Sequence, residues 1–247
     1  ENLHIAASGN YNLFTTTNAT YDPTLHVEDC TVDAAYNVVY DSHNTQNFKS
    51  VYFGNSIVKM TVANKPFYST KAKDAHTQQL IRLDNNVFYA ETPLQNYLIN
   101  CGDRSQAFQT TRLQVEVTNN TIYNIYQPNI MIRAYVLAGL TVTKNVGYYT
   151  GVTAKNYLTG VYDTAGFTAD KAEVTYNYLY TAPVSDTNFW SAKHTGSYTP
   201  ANNQMGDGVE APFSSMDAAK GYFPVDASVV KTGAGATYDT KAWFKTE

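Results

Sequence analysis

Apolar and polar residues alternate in six short windows of the chain, and the windows follow one eight-position template: apolar, any, apolar, any, polar, Asn, any, apolar. The copies are LHVEDCTV from Leu25, VYFGNSIV from Val51, IRLDNNVF from Ile81, VEVTNNTI from Val115, LTVTKNVG from Leu140 and AEVTYNYL from Ala172. The first position reads Leu25, Val51, Ile81, Val115, Leu140, Ala172, and the third reads Val27, Phe53, Leu83, Val117, Val142, Val174. Every one of these is apolar in a chain that is 43% apolar, so composition alone does not generate the pattern. Successive side chains of a strand point to opposite faces, and each window therefore predicts a short strand with one buried face. Leu3-His4-Ile5 reads as an earlier, weaker copy.

The sixth position reads Cys30, Ser56, Asn86, Asn120, Asn145, Asn177. Asn after a short strand tolerates left-handed backbone angles and bonds the local main chain, so a single one would be an ordinary turn residue. Several in register need a common cause. Stacking supplies it, because amides in successive coils about 4.8 Å apart can bond up and down as a ladder. The windows recur after 26, 30, 34, 25 and 32 residues. A coil of three short strands and tight turns needs about 22, so each coil also carries loop residues. A further strand follows the Asn in each coil: Val38-Val39-Tyr40, Phe67-Tyr68, Tyr97-Leu98-Ile99, Ile130-Met131-Ile132 and Tyr157-Leu158. Asn96, Asn129 and Asn156 precede the last three, and polar loops follow over 41–49, 70–79, 101–111 and 160–171.

These features predict an all-β parallel β-helix with coils over residues 1–181. Leucine-rich repeats would fit the lengths, but their L-x-x-L-x-L signature and helical segments are absent. An antiparallel sandwich competes, because it too is built of short alternating strands. From Ala182 the template stops. Pro183, Pro200, Pro212 and Pro224, with Gly196, Gly206, Gly208 and Gly221, predict an irregular segment over 182–247 that does not extend the ladder. An open solenoid end exposes core and unpaired strand edges, so this segment is expected to cap it within the same domain. The first strand has no such cover before it, which predicts an upstream domain or a self-capping first coil.

Composition narrows the function. Lys+Arg (17) nearly balances Asp+Glu (21), which is not the basic surface that nucleic-acid binding needs. No apolar run approaches the ~20 residues of a membrane span; the most apolar stretch, 130–142, is broken by Arg133. The chain begins at Glu1 without Met and reads as a mature or trimmed product. Cys30 and Cys101 have neither metal spacing nor a C-x-x-C, and the repeat places them in different coils, as small buried hydrophobes rather than a disulfide. The 21 Tyr suit half-buried strands and would also suit stacking on sugars.

The I-x-x-N-N-x-apolar turn, carried by Leu83 to Phe88 and Val117 to Ile122, resembles the asparagine ladder of the pectate-lyase-like superfamily of right-handed, single-stranded parallel β-helices. GYFPVDASVVKTGAGA, from Gly221 to Ala236, looks like the closing motif of secreted glycan-processing β-helices. GAGATYDTKAWF is similar to a group of uncharacterised lipoproteins of gut bacteria encoded with polysaccharide-utilisation systems. The resemblance runs from about residue 25 to the end. It implies export to the cell surface, the periplasm or the medium, a polysaccharide partner, and a lipid anchor upstream of the chain. Lyases of this superfamily use a basic side chain, often Arg, to take the proton α to a uronate carboxyl, and calcium is the cofactor the resemblance admits. Calcium asks for several converging oxygens, and related hydrolases need paired carboxylates. No family catalytic motif is present to carry across.

Stacking still brings candidates together. All four Arg (Arg82, Arg104, Arg112, Arg133) fall in two adjacent coils. In the fold that the resemblance implies, one strand and its following loop wall the groove where glycans lie. Arg133, Arg104 and Asp103 are then the catalytic candidates, and Asp41, His43, Asp74, His76 and Asn100 the substrate-binding ones. The strip reads either as a polyanionic sugar site with proton abstraction or as solvated loop charge in local ion pairs. A second column, His26, Tyr52, Arg82, Glu116, Thr141 and Glu173 with Glu28 and Asp84 beside it, reads as cross-strand pairing, with Arg82 and Glu116 on adjacent rungs. The five His have no metal-ligand spacing, no P-loop or G-x-S-x-G is present, and Trp190 and Trp243 read as cap packing. The expectation is an exported monomer that binds an acidic polysaccharide, with cleavage open; the alternative is a non-catalytic scaffold or adhesin.

Overall fold

In the computed structural model each window forms a strand, and every pairing within the sheets is parallel. The structure describes residues 3–7, 9, 11–16, 23–34, 36–41, 48–70, 80–101, 113–126, 130–134, 137–149, 157–161, 172–181, 199–205 and 210–238. In chain order the first strands are β1 (His4–Ala7), β2 (Phe14–Thr16), β3 (Thr24–Glu28), β4 (Thr31–Ala34), β5 (Val39–Asp41), β6 (Ser50–Gly54) and β7 (Ile57–Met60). Next come β8 (Tyr68–Thr70), β9 (Leu80–Asp84), β10 (Val87–Gln95), β11 (Ile99–Cys101), β12 (Leu113–Thr118), β13 (Thr121–Tyr126) and β14 (Ile130–Ala134). The last are β15 (Leu137–Thr143), β16 (Val146–Tyr149), β17 (Tyr157–Val161), β18 (Ala172–Thr175), β19 (Tyr178–Thr181), β20 (Thr199–Ala201) and β21 (Gln204–Met205).

Through β19 every third strand joins the same sheet, and β20 and β21 then extend the third and the first. The first sheet is β1-β4-β7-β10-β13-β16-β19-β21, the second β2-β5-β8-β11-β14-β17, and the third β3-β6-β9-β12-β15-β18-β20. The chain is therefore a parallel β-helix, which excludes the antiparallel sandwich. The first four positions of the windows lie in strands of the third sheet, stacked in the expected register: Leu25 on Val51, Val51 on Ile81, Ile81 on Val115, Val115 on Leu140, Leu140 on Ala172. Their third positions, Val27 to Val174, are all buried. Between the sheets Phe14, Phe53, Phe67 and Phe88 form a chain of edge-on rings with centroids 6.4, 5.0 and 4.9 Å apart.

The ladder forms at the turn between the third and first sheets. Asn86 N–H and Nδ2 both donate to Oδ1 of Asn120, at 2.9 and 3.1 Å. Asn120 treats Asn145 the same way, and Asn145 treats Asn177. Each Nδ2 also reaches back to the carbonyl of the third template position one coil earlier, as Asn120 does to Leu83. Buried amides are thus fully used, which is the condition for burying them at all. Toward the N-terminus Ser56 takes the rung with its hydroxyl, accepting from Cys30 N–H and donating to Gly54 O. Cys30 ends the series as a buried free thiol.

The left-handed backbone expected at the ladder Asn falls one residue earlier. Asp29, Asn55, Asn85, Asn119, Lys144, Tyr176 and Asn202 all have φ between 47° and 58°. The turn divides its work: the fifth position bends the backbone, and the sixth is freed to bond inward. Leu3 is also displaced from its expected role. His4 pairs with Thr31, so 4–7 is the strand after the turn, and Leu3 stands on Cys30's rung.

The stack also continues past residue 181. β20 pairs with β18 and β21 with β19, with Asn203 as a further rung accepting from Asn177 N–H and Nδ2. Pro200 sits in β20, the outermost strand of its sheet, where a missing N–H is tolerated. Residues 210–238, expected to cover an open end, instead lie along the outer flank of the first sheet. Phe223, Ala236 and Tyr238 pack on Ile57, Val87, Tyr89 and Tyr123, while Val230 and Ala234 pack on Val146 and Tyr178.

One core group is imperfectly served. Gly147 leaves room that the Tyr149 ring fills: a Cβ on Gly147 would stand 2.8 Å from the Tyr149 hydroxyl. That hydroxyl is buried and has no hydrogen-bond partner among the described residues. Burial alone pushes the phenol well above its ordinary pKa. Tyr149→Phe is therefore expected to raise stability by about 1 kcal/mol at neutral pH. The gain should widen above about pH 10, where an unfolded Tyr ionises and the folded one does not, so stability is lost as pH rises. Urea unfolding of both proteins at pH 7 and pH 10.5 checks this; a less stable Phe variant would show that the hydroxyl is bonded after all.

Candidate functional site

The second sheet carries the groove candidates. Its inward column, Val39, Tyr68, Ile99 and Ile132, is fully buried. In β5, β8 and β11 the next residue points the other way. Tyr40 stands on Ser69, Ser69 on Asn100 and Asn100 on Arg133. Tyr40, Ser69 and Asn100 are half-buried on this outer face. Asn100 and Arg133 are thus brought to adjacent positions of one column. Asp41 follows Tyr40 in β5 and stands on Thr70. His43, Asp74, His76, Asp103 and Arg104 lie outside the described residues. Tyr40 and Ser69 were not singled out from the sequence. The signal for them was available, since each follows the inward apolar residue of its strand as Asn100 follows Ile99.

The outer face of the third sheet is more densely bonded. His26, Tyr52, Arg82, Glu116, Thr141 and Glu173 form one column, in the expected order. Arg82 Nε lies 3.3 Å from Glu116 Oε2, confirming the pair. With Arg82 about half exposed, such a pair contributes on the order of 0–1 kcal/mol. His26 packs edge-on against Tyr52 at 4.5 Å and its Nε2 lies 3.3 Å from Glu28 Oε2. In the neighbouring column Gly54 separates Glu28 from Asp84, and the Tyr52 hydroxyl leans into the space a Cβ would occupy. Burial first, then the Glu28 and Asp84 carboxylates, push the Tyr52 phenol above its ordinary pKa, while Arg82 acts the other way. Asp84 is further engaged by Asn119 Nδ2 at 3.1 Å. These groups satisfy one another, and among the described residues no three His, Cys, Asp or Glu are grouped to hold a metal.

The Tyr content finds a structural use on the first sheet. Tyr123 and Tyr148 stack at 5.3 Å with planes 1° apart, and Tyr148 and Tyr180 at 4.9 Å and 8°. Rings stacked along the coil axis turn their faces to each other and their edges outward, which is the wrong presentation for a sugar platform. Phe213 and Phe223 close over the same column, with Phe223 stacked on Tyr123 at 4.1 Å. No helix among the described residues is long and apolar enough to cross a membrane. No protein-family model matches the chain, and neither a curated protein nor a solved structure matches it.

Proposed function

We propose that this is a secreted or cell-surface β-helix protein of the pectate-lyase-like kind that binds an acidic polysaccharide along the outer face of the second sheet. The observation that carries the reading is the register of that face, which sets Tyr40, Ser69, Asn100 and Arg133 in one column at strand spacing. Positions that recur about every 4.8 Å and carry residues with hydroxyl, amide and guanidinium groups suit a ligand that is itself a repeating chain of hydroxyls and carboxylates, and guanidinium pairs carboxylate in two bonds. The other two outer faces offer less, one being internally paired and the other covered by the chain's own C-terminal segment.

Electrophoresis through gels loaded with neutral or uronate polysaccharides tests this directly. Retardation by a polyuronate is expected, with the double variant Asn100→Ala, Arg133→Ala weakened about tenfold. No retardation by any acidic glycan would sink the reading and leave the scaffold. The same panel, run with calcium, reads cleavage: unsaturated products absorbing in the ultraviolet would assign proton abstraction to Arg133 or to Arg104 with Asp103.

A further inference from the structure

In a simple solenoid each coil touches only its neighbours, so stability is close to a sum of coil terms and nearest-neighbour interfaces. Residues 210–238 do not obey that rule. Three consecutive N–H groups reach three consecutive coils: Gly235 to Lys144 O at 2.8 Å, Ala236 to Thr121 Oγ1 at 3.0 Å, and Thr237 to Asn85 Oδ1 at 2.8 Å. Asn85 passes the contact on, since its Nδ2 donates to Asn55 Oδ1 at 2.7 Å and Asn55 Nδ2 donates to Glu28 Oε1 at 3.1 Å. At the other end the Tyr178 hydroxyl donates to Glu210 O at 2.7 Å.

The segment also locks onto itself. Antiparallel bridges join Phe213 to Val225 and Asp217 to Tyr222. The Tyr238 hydroxyl accepts from Phe223 N–H at 2.9 Å and donates to Gly221 O at 3.1 Å. Gly221 and Gly235 have φ of 64° and 94°, and a Cβ would stand 2.6 Å from the Tyr89 ring or 2.5 Å from Val225 Cγ2. The stack is shaped for this cover. One outer column of the first sheet changes from Asp33 and Lys59 to Tyr89, Tyr123, Tyr148 and Tyr180 where the segment lies.

We propose that Glu210–Tyr238 is a clasp that makes the coils from β7 to β19 open as one cooperative unit. Native-state hydrogen exchange on the full chain tests it, comparing the parent with Tyr238→Phe and Gly235→Ala. The reporters are the amides of β9, β12 and β15 in the third sheet, on the far side of the ladder turn from the clasp. In the parent these amides should share one opening free energy. In Tyr238→Phe they should accelerate together by about tenfold, as loss of one buried bridging hydroxyl implies, and by more in Gly235→Ala. Acceleration confined to residues 210–238, or graded from β15 to β9, would overturn the proposal. If Gly235→Ala does not fold, Tyr238→Phe decides alone, because it keeps the ring and removes only the hydroxyl.

Discussion

Asn120→Ala is expected to lower stability by on the order of 4 kcal/mol, from the loss of a single amide that serves three coils. Its Oδ1 accepts two bonds from Asn86, and its Nδ2 donates to Leu83 O, Thr118 O and Asn145 Oδ1. Alanine removes all of these at once and leaves Asn86 N–H and Nδ2 buried without their acceptor. Each unsatisfied buried group costs about 1–3 kcal/mol, and the surrounding sheet has no access for water, since Asn86 and Asn120 are both fully buried. Asn120→Ser should recover part of the loss, because Ser56 already fills the same rung with one acceptor and one donor. Urea midpoints, compared at constant slope, would measure both. A loss below about 1 kcal/mol for the alanine variant would mean that neighbouring coils supply other partners.

Phe67→Ala should be comparably damaging, at about 3–5 kcal/mol, for a different reason. Phe67 is fully buried where two sheets meet, with its ring edge-on to Phe53 on one side and Phe88 on the other. Removing it opens a cavity between side chains fixed by strands on both flanks, so the walls cannot collapse far. Phe14, at the start of the same ring chain, is only partly buried. Its replacement by Ala should cost roughly half as much by the area it covers. Equal losses at the two positions would contradict an account in which the buried area of each ring sets the cost.

Which parts of this architecture were legible follows from where one face of a strand meets water. The third sheet alternates cleanly because its outer face carries His26, Tyr52, Arg82 and Glu116, so period and ladder stood out together. From β7 onward the first sheet hid its role because both of its faces are covered there. Ile57-Val58, Val87-Phe88 and Thr121-Ile122-Tyr123 show no alternation, and that unbroken apolarity was itself the sign of a second covering layer. The rung at Asn203 was masked by Pro200, which reads as a breaker until it is seen at an edge. The groove candidates were legible only to the extent that strands carry them. Asn100 and Arg133 share a column because Ile99 pairs with Ile132.

The fit between tail and flank constrains how this protein could change length. Duplicating a repeat between Ile57 and Tyr178 would shift Lys144, Thr121 and Asn85 out of step with the three backbone donors that meet them. A repeat added ahead of Ser56 would disturb none of these partners. Growth by copying is therefore open on one side of the molecule and closed on the other, and a library of lengthened or shortened variants should yield folded members chiefly from insertions ahead of Ser56.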